Sequence, residues 1–253
     1  MKLFIFLLFF FAFYRLQAQP EANCHKTQLL LSYPKNPGAK VFRLDSNVVG
    51  YVSEMAIDID GSPQAYNPQD TGLDALASAG GAAHLSRSVI VFTDNKPFIQ
   101  TATDPFPGYF LSQTSLQDKH FATTDHRRYV NADSIPYIAL PFNMFKNAHL
   151  GDIAFVKNKK TGKTALAIVA DAGDNKHIGE GSVALANELG IQLSFSRRKH
   201  QIIGCNAVNG TIAYVVFNNS GTGKPLTLPE IKDKASLITQ DKMDEYMNCL
   251  LEE

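Results

Sequence analysis

Tryptophan is missing from this chain, cysteine occurs three times, and neither sign of charge prevails, with 24 Lys and Arg against 24 Asp and Glu. Each shortage removes a class of reading. Without tryptophan, a site that holds ring-shaped ligands by indole stacking is excluded. Tyr51, Tyr66 and Tyr109 remain as platforms, though each has the ordinary prospect of being a partly buried packing residue. Without a basic excess, the chain is no general binder of nucleic acid. Cys24, Cys205 and Cys249 are far apart and lack the Cys-x-x-Cys spacing of a metal or redox site. In an oxidising compartment one pair can close a disulfide and leave one thiol, and spacing does not say which pair.

Several familiar motifs are absent or fail on a named residue. There is no Gly-x-Ser-x-Gly elbow for a serine hydrolase, and the seven histidines are scattered without zinc-ligand spacing. Gly162-Lys163-Thr164 resembles the end of a phosphate loop, but the required first glycine is replaced by Lys157. Asp58-Ile59-Asp60-Gly61 resembles part of a calcium loop, but Ala56 and Asn67 stand where the first and last ligands belong. Gly179-Glu180-Gly181-Ser182-Val183-Ala184 meets a loose dinucleotide pattern, yet Glu180 would repel a pyrophosphate there. No cofactor and no metal are expected.

After residue 13 no apolar run approaches the roughly 20 residues of a membrane-spanning helix. The one long apolar block, residues 4–13, follows Met1 and Lys2 and precedes Arg15-Leu16-Gln17-Ala18. A charged start, apolar middle and small residue mark a cleavable secretory leader. Residues 1–18 are therefore read as a signal peptide and residues 19–253 as a single catalytic domain, exported to an extracellular or periplasmic space. The mature charge falls to about −2 as Lys2 and Arg15 leave.

Strand-like segments follow at 27–33, 41–44, 48–53, 55–60, 88–93, 109–112, 137–140, 152–158, 165–170 and 211–217, separated by Gly, Pro and Asn turns. Helical patterns are short: 71–79 before Gly80-Gly81, 183–189, and a tail of two helices over 229–251. The run Arg197-Arg198-Lys199-His200 reads as an exposed loop. Asn209 and Asn218 open glycosylation sequons. The expectation is a mainly β fold with short helices (α+β), a β-barrel, double-psi-like, or else a sandwich.

The candidate chemistry lies in acids at strand ends. Along 55–60, Ile57 and Ile59 face one way while Asp58 and Asp60 face the other. The apolar run 165–170 ends at Asp171, and Glu180 precedes the helix at 183–189. Acids beside glycines are commonly turn and cap residues, but a pair held at a strand end and a helix start suits acid–base work.

Taken in order, Asp58-Ile59-Asp60-Gly61, Gln113-Thr114-Ser115-Leu116, Tyr137-Ile138-Ala139-Leu140-Pro141, Val169-Ala170-Asp171 and Gly179-Glu180-Gly181-Ser182 resemble the chitosanases of glycoside hydrolase family 75. The resemblance covers most of the mature chain. It implies a secreted enzyme cleaving β-1,4 links of chitosan with inversion, with Asp171 and Glu180 as the catalytic pair. Asp58, Asp60, Thr114, Ser115 and Asp174 then become candidates for binding a cationic polysaccharide. The alternative is a polysaccharide- or cell-wall-binding protein without turnover.

Overall fold

A computed structural model describes residues 26–33, 38–208 and 210–252. The leader, Cys24 and the Asn209 sequon lie outside the described residues. In chain order the elements are β1 (Gln28–Tyr33), β2 (Ala39–Asp45), β3 (Val48–Ser53), β4 (Ala56–Asp58), β5 (Phe92–Thr93), β6 (Lys96–Pro97), β7 (Tyr137–Pro141), β8 (Ile153–Asn158), β9 (Thr164–Gly173), β10 (Glu180–Ser182), α1 (Val183–Glu188), β11 (Leu193–Phe195), β12 (Ile202–Cys205), β13 (Ile212–Phe217), α2 (Leu228–Ser236) and α3 (Gln240–Leu251).

Nine strands form one mixed sheet in the order β1-β2-β3-β13-β8-β9-β7-β10-β4, and β11 with β12 and β5 with β6 form two small ribbons. The chain is thus mainly β with a few short helices, as its turn spacing predicts. Two pairings are parallel, β7 with β9 and β10 with β4. These four strands make the end of the sheet that carries the acids.

β13 is buried at every residue, because apolar layers cover both faces of the central strands. On one face Val49, Tyr51, Tyr214, Val156, Val169, Ile138 and Leu140 pack under Leu185 and Leu189 of α1 and its end. Tyr51 and Tyr214 sit opposite each other on neighbouring strands and stack with ring centroids 4.5 Å apart. On the other face Ile153, Phe155, Ile168, Val215 and Phe217 pack under Ile231 of α2 and Met243, Met247 and Leu250 of α3. Cys249 of α3 is disulfide-bonded, and the free thiol is that of Cys205.

The helix expected over 71–79 does not form. Its backbone donors turn outward, Leu73 N to Gln64 O and Asp74 N to Ala65 O, while Leu76 N bonds the Asp70 carboxylate. The expected strands over 88–93 and 109–112 shrink to β5 and isolated bridges at Ile90, Ser112 and Phe110. No described helix is long and apolar enough to cross a membrane.

Candidate functional site

β9 does not run straight into Asp171. Ile138 of β7 pairs with Val169 and the next residue, Ala139, pairs with Asp171, so Ala170 is an extra residue in β9. Such a bulge bends the strand and re-aims a side chain. Strict alternation would have put Asp171 on the aliphatic face with Val169. Instead its carboxylate accepts from Ser115 N at 3.1 Å and Ser115 Oγ at 2.6 Å, on the face where Leu116 N bonds Ala170 O. Ala172 N completes the set at 2.7 Å.

Glu180 opens β10 opposite the same Ala139. Asp171 and Glu180 therefore occupy one row, two strands apart, which at about 4.8 Å per strand separates their Cα atoms by roughly 9–10 Å. They also share a face. Gly173 lies two residues beyond Asp171, and a Cβ on Gly173 would come within 2.9 Å of Glu180 Oε2. A Cβ on Gly181 would instead meet Leu185 and Met55 on the opposite face. Ala139, itself buried, is the small residue between the two acids in that row.

Asp58 enters through the parallel pairing of β4 with β10, where it sits beside Ser182 and thus on the Glu180 face. The chain then turns back through Gly61, whose φ of 83° and contact with Val130 O leave no room for a side chain. That turn brings Asp60 in as well. Oxygens of Asp58, Asp60 and Asp171 lie within 4.8 Å of one another. The buried phenol of Tyr137 props the end of β4, donating to the carbonyls of Asp60 at 2.9 Å and Asp58 at 3.3 Å. Tyr66 donates to Asp60 Oδ1 at 2.8 Å, and Asp60 N donates to Asp58 Oδ1 at 3.0 Å.

Electrostatics follows from this crowding. Burial pushes the Asp58 carboxyl well above the usual range, and the Asp171 charge adds to it. Asp60 is raised well above its usual range by burial and then by Asp58 and Asp171. Asp171 is also raised by burial, opposed by its bonds from Ser115 and Ala172. Glu180 is raised by burial and by the charge of Asp171, and no donor reaches its carboxylate among the described residues. Such a set holds protons to higher pH than free carboxyls do. Asp58, Asp60 and Asp171 are also the described residues whose oxygens are close enough to share a hard cation.

The remaining sequence candidates are placed differently. Thr114 is buried, and its hydroxyl is engaged internally with Leu116 O at 2.8 Å and Val130 N at 3.1 Å, so it braces the segment behind Ser115. Asp174 is exposed in the loop between β9 and β10, where it accepts from Lys176 N and His177 N as a turn residue. Its charge still reaches Glu180. Ala139 and Ser112, which accepts from Gly61 N, belong to the site without having been singled out for it, and Tyr66, a candidate platform in the sequence, is instead a buried phenol bonded to Asp60. Tyr137 was seen only as a strand residue.

Compared with models of protein families and with curated proteins, the chain matches none.

Proposed function

We propose that this chain is a secreted, endo-acting glycoside hydrolase that cleaves β-1,4 links of chitosan or a related amino-sugar polymer with inversion. One observation carries the reading: Asp171 and Glu180 stand on one sheet face, in one row, with only Ala139 between them. Inverting hydrolysis needs two carboxyl groups roughly 6.5–9.5 Å apart, so that a water fits beside the sugar. A separation of two strands is of that order. The double-psi-like barrel and the export by residues 1–18 belong to the same proposal and rest on the family resemblance and the leader pattern.

The roles follow from the surroundings of each acid. Glu180, half-buried and without a donor on its carboxylate, is the one of the pair that keeps its proton and gives it to the departing glycosidic oxygen. Asp171, with three donors on its carboxylate, is the more easily ionised and takes a proton from the attacking water. The water oxygen bonds the anomeric carbon as the glycosidic bond breaks, and the proton gained by Asp171 returns through solvent to Glu180. Asp58 and Asp60, whose carboxyls burial holds above the usual range, add negative potential that suits an ammonium-bearing substrate where they ionise.

The test is reducing-end release from chitosan oligomers, with product stereochemistry read by NMR. Wild type should invert, and Asp171→Asn and Glu180→Gln should each lose activity by about a hundredfold or more. Unchanged activity in both variants removes the assignment. Tight binding by wild type with no release of reducing ends would establish a binding protein instead, a reading that the shared face of the two acids disfavours.

A further inference from the structure

β4 is the last strand of the sheet, and its outer edge is not paired with any other strand among the described residues. Along that edge runs a cleft of about 460 Å³, lined by Ala56, Ile57, Ile59, Asp74, Ser78 and Ile203 among others. Ala56 N bonds Gly179 O on the inner side. Strand alternation therefore turns the backbone N–H and C=O of Ile57 outward, toward the cleft. The cleft has fixed walls. Ile202 N bonds Leu73 O, and the Gln201 amide reaches the carbonyls of Asp70 and Asp74, tying the β11–β12 ribbon to the segment that carries Asp74.

Asp74 is the acid of this cleft. Its Oδ1 accepts from Ala75 N at 2.7 Å and Ser78 Oγ at 3.1 Å, which fixes the carboxylate, while Oδ2 has only the long contact from Tyr66 OH at 3.4 Å. That phenol is the one that donates to Asp60. The acid of the cleft and the acids of the catalytic face thus stand on either side of a single phenolic oxygen. The nearby Lys199 is already paired with Asp70.

We propose that this cleft is a binding subsite for a further amino-sugar unit of the polymer, with the Asp74 carboxylate receiving its ammonium group. The isoleucines take the apolar face of the ring, and the free edge of β4 offers Ile57 N–H and C=O to its hydroxyls. Cleft volume, edge donors and a fixed, under-used carboxylate are the ordinary components of such a site. The inference deepens the proposed hydrolase reading and rests on it for the identity of the polymer.

Binding is measured by calorimetry in a Glu180→Gln background, using glucosamine oligomers and fully N-acetylated oligomers of matched length. Asp74→Asn keeps the acceptor for Ala75 N but removes the charge. Ile203→Lys places a cation in the cleft at a side chain that is 67% exposed, where folding is not at stake. Each should weaken glucosamine-oligomer binding by about tenfold, the worth of one charge-assisted hydrogen bond, and Asp74→Asn should leave the acetylated oligomers within about twofold. Asp74→Glu should restore most of the affinity. Unchanged affinity in both Asp74→Asn and Ile203→Lys overturns the subsite. Failure of wild type to release reducing ends would overturn the hydrolase alone, since the cleft is read by binding.

Discussion

Burial and the neighbouring Asp171 both oppose the charge on Asp58, so the folded chain holds this carboxyl at a higher pKa than the unfolded chain does. A raised acid contributes stability that is fully present below its unfolded pKa, near 3.9, and is lost as pH rises through the folded value. Asp58→Asn should therefore raise the stability by about 1–2 kcal/mol at pH 8, a typical gain when strain at a functional site is relieved. The gain should disappear near pH 3, as thermal melts at the two pH values would show. With one fewer negative neighbour, Asp171 should also ionise more readily, and the acid limb of activity should move to lower pH. Ser115→Ala should move that limb the other way, by about one unit, because the 2.6 Å bond from Ser115 Oγ favours the ionised Asp171. Gly173→Ala tests the partner acid: its Cβ would crowd Glu180 Oε2, the far end of a flexible side chain. The melting temperature should hardly change while kcat drops by up to about a hundredfold, the scale set by a displacement near 1 Å. The acids themselves were legible in the sequence, because strand alternation and strand-end position expose them. The bracing roles of Tyr137 and Tyr66 were not, since a phenol that donates to a distant carbonyl or carboxylate leaves no local pattern.

At the level of elements, Ser182 joins three pieces that carry the site. Its Oγ accepts from Leu185 N as the N-cap of α1 and from Tyr137 N at the start of β7, and donates to Ile135 O. Ser182→Ala would leave two buried N–H groups without their acceptor, at a cost of about 1–3 kcal/mol measured by urea unfolding. Because β10 and β7 carry Glu180 and Tyr137, activity should fall further than the stability loss alone explains. The long apolar strands β3, β8, β9 and β13 were readable, as was α1, because burial on both faces or a capped 3.6-residue period dominates their local sequence. The bulge at Ala170 was not readable: an extra residue in a uniformly apolar run looks like the run itself. Residues 71–79 misled for the opposite reason. Their period suits a helix, but Gln64 and Ala65, close in space, supply the carbonyls that Leu73 and Asp74 use.

For the molecule as a whole, formal neutrality conceals a polarised surface chemistry. The 24 acids balance 24 Lys and Arg over the full sequence, yet Asp58, Asp60, Asp171 and Glu180 converge at one end of the sheet and Asp74 extends them past β4. Arg127 is paired with Asp125 and Lys199 with Asp70. Where these acids ionise, a field of this kind attracts cations without any net charge on the protein, and it weakens once the Debye length shrinks below the size of the acidic patch. On the proposed reading, kcat/KM for chitosan should fall several-fold when salt is raised from about 0.01 M to about 1 M, a change in screening length from about 30 Å to about 3 Å. Binding of neutral, N-acetylated oligomers should be nearly indifferent to the same change. Equal salt dependence for charged and neutral oligomers would mean that the acids serve proton exchange alone. In that case the amino group of the substrate is not what the acidic end of this sheet recognises.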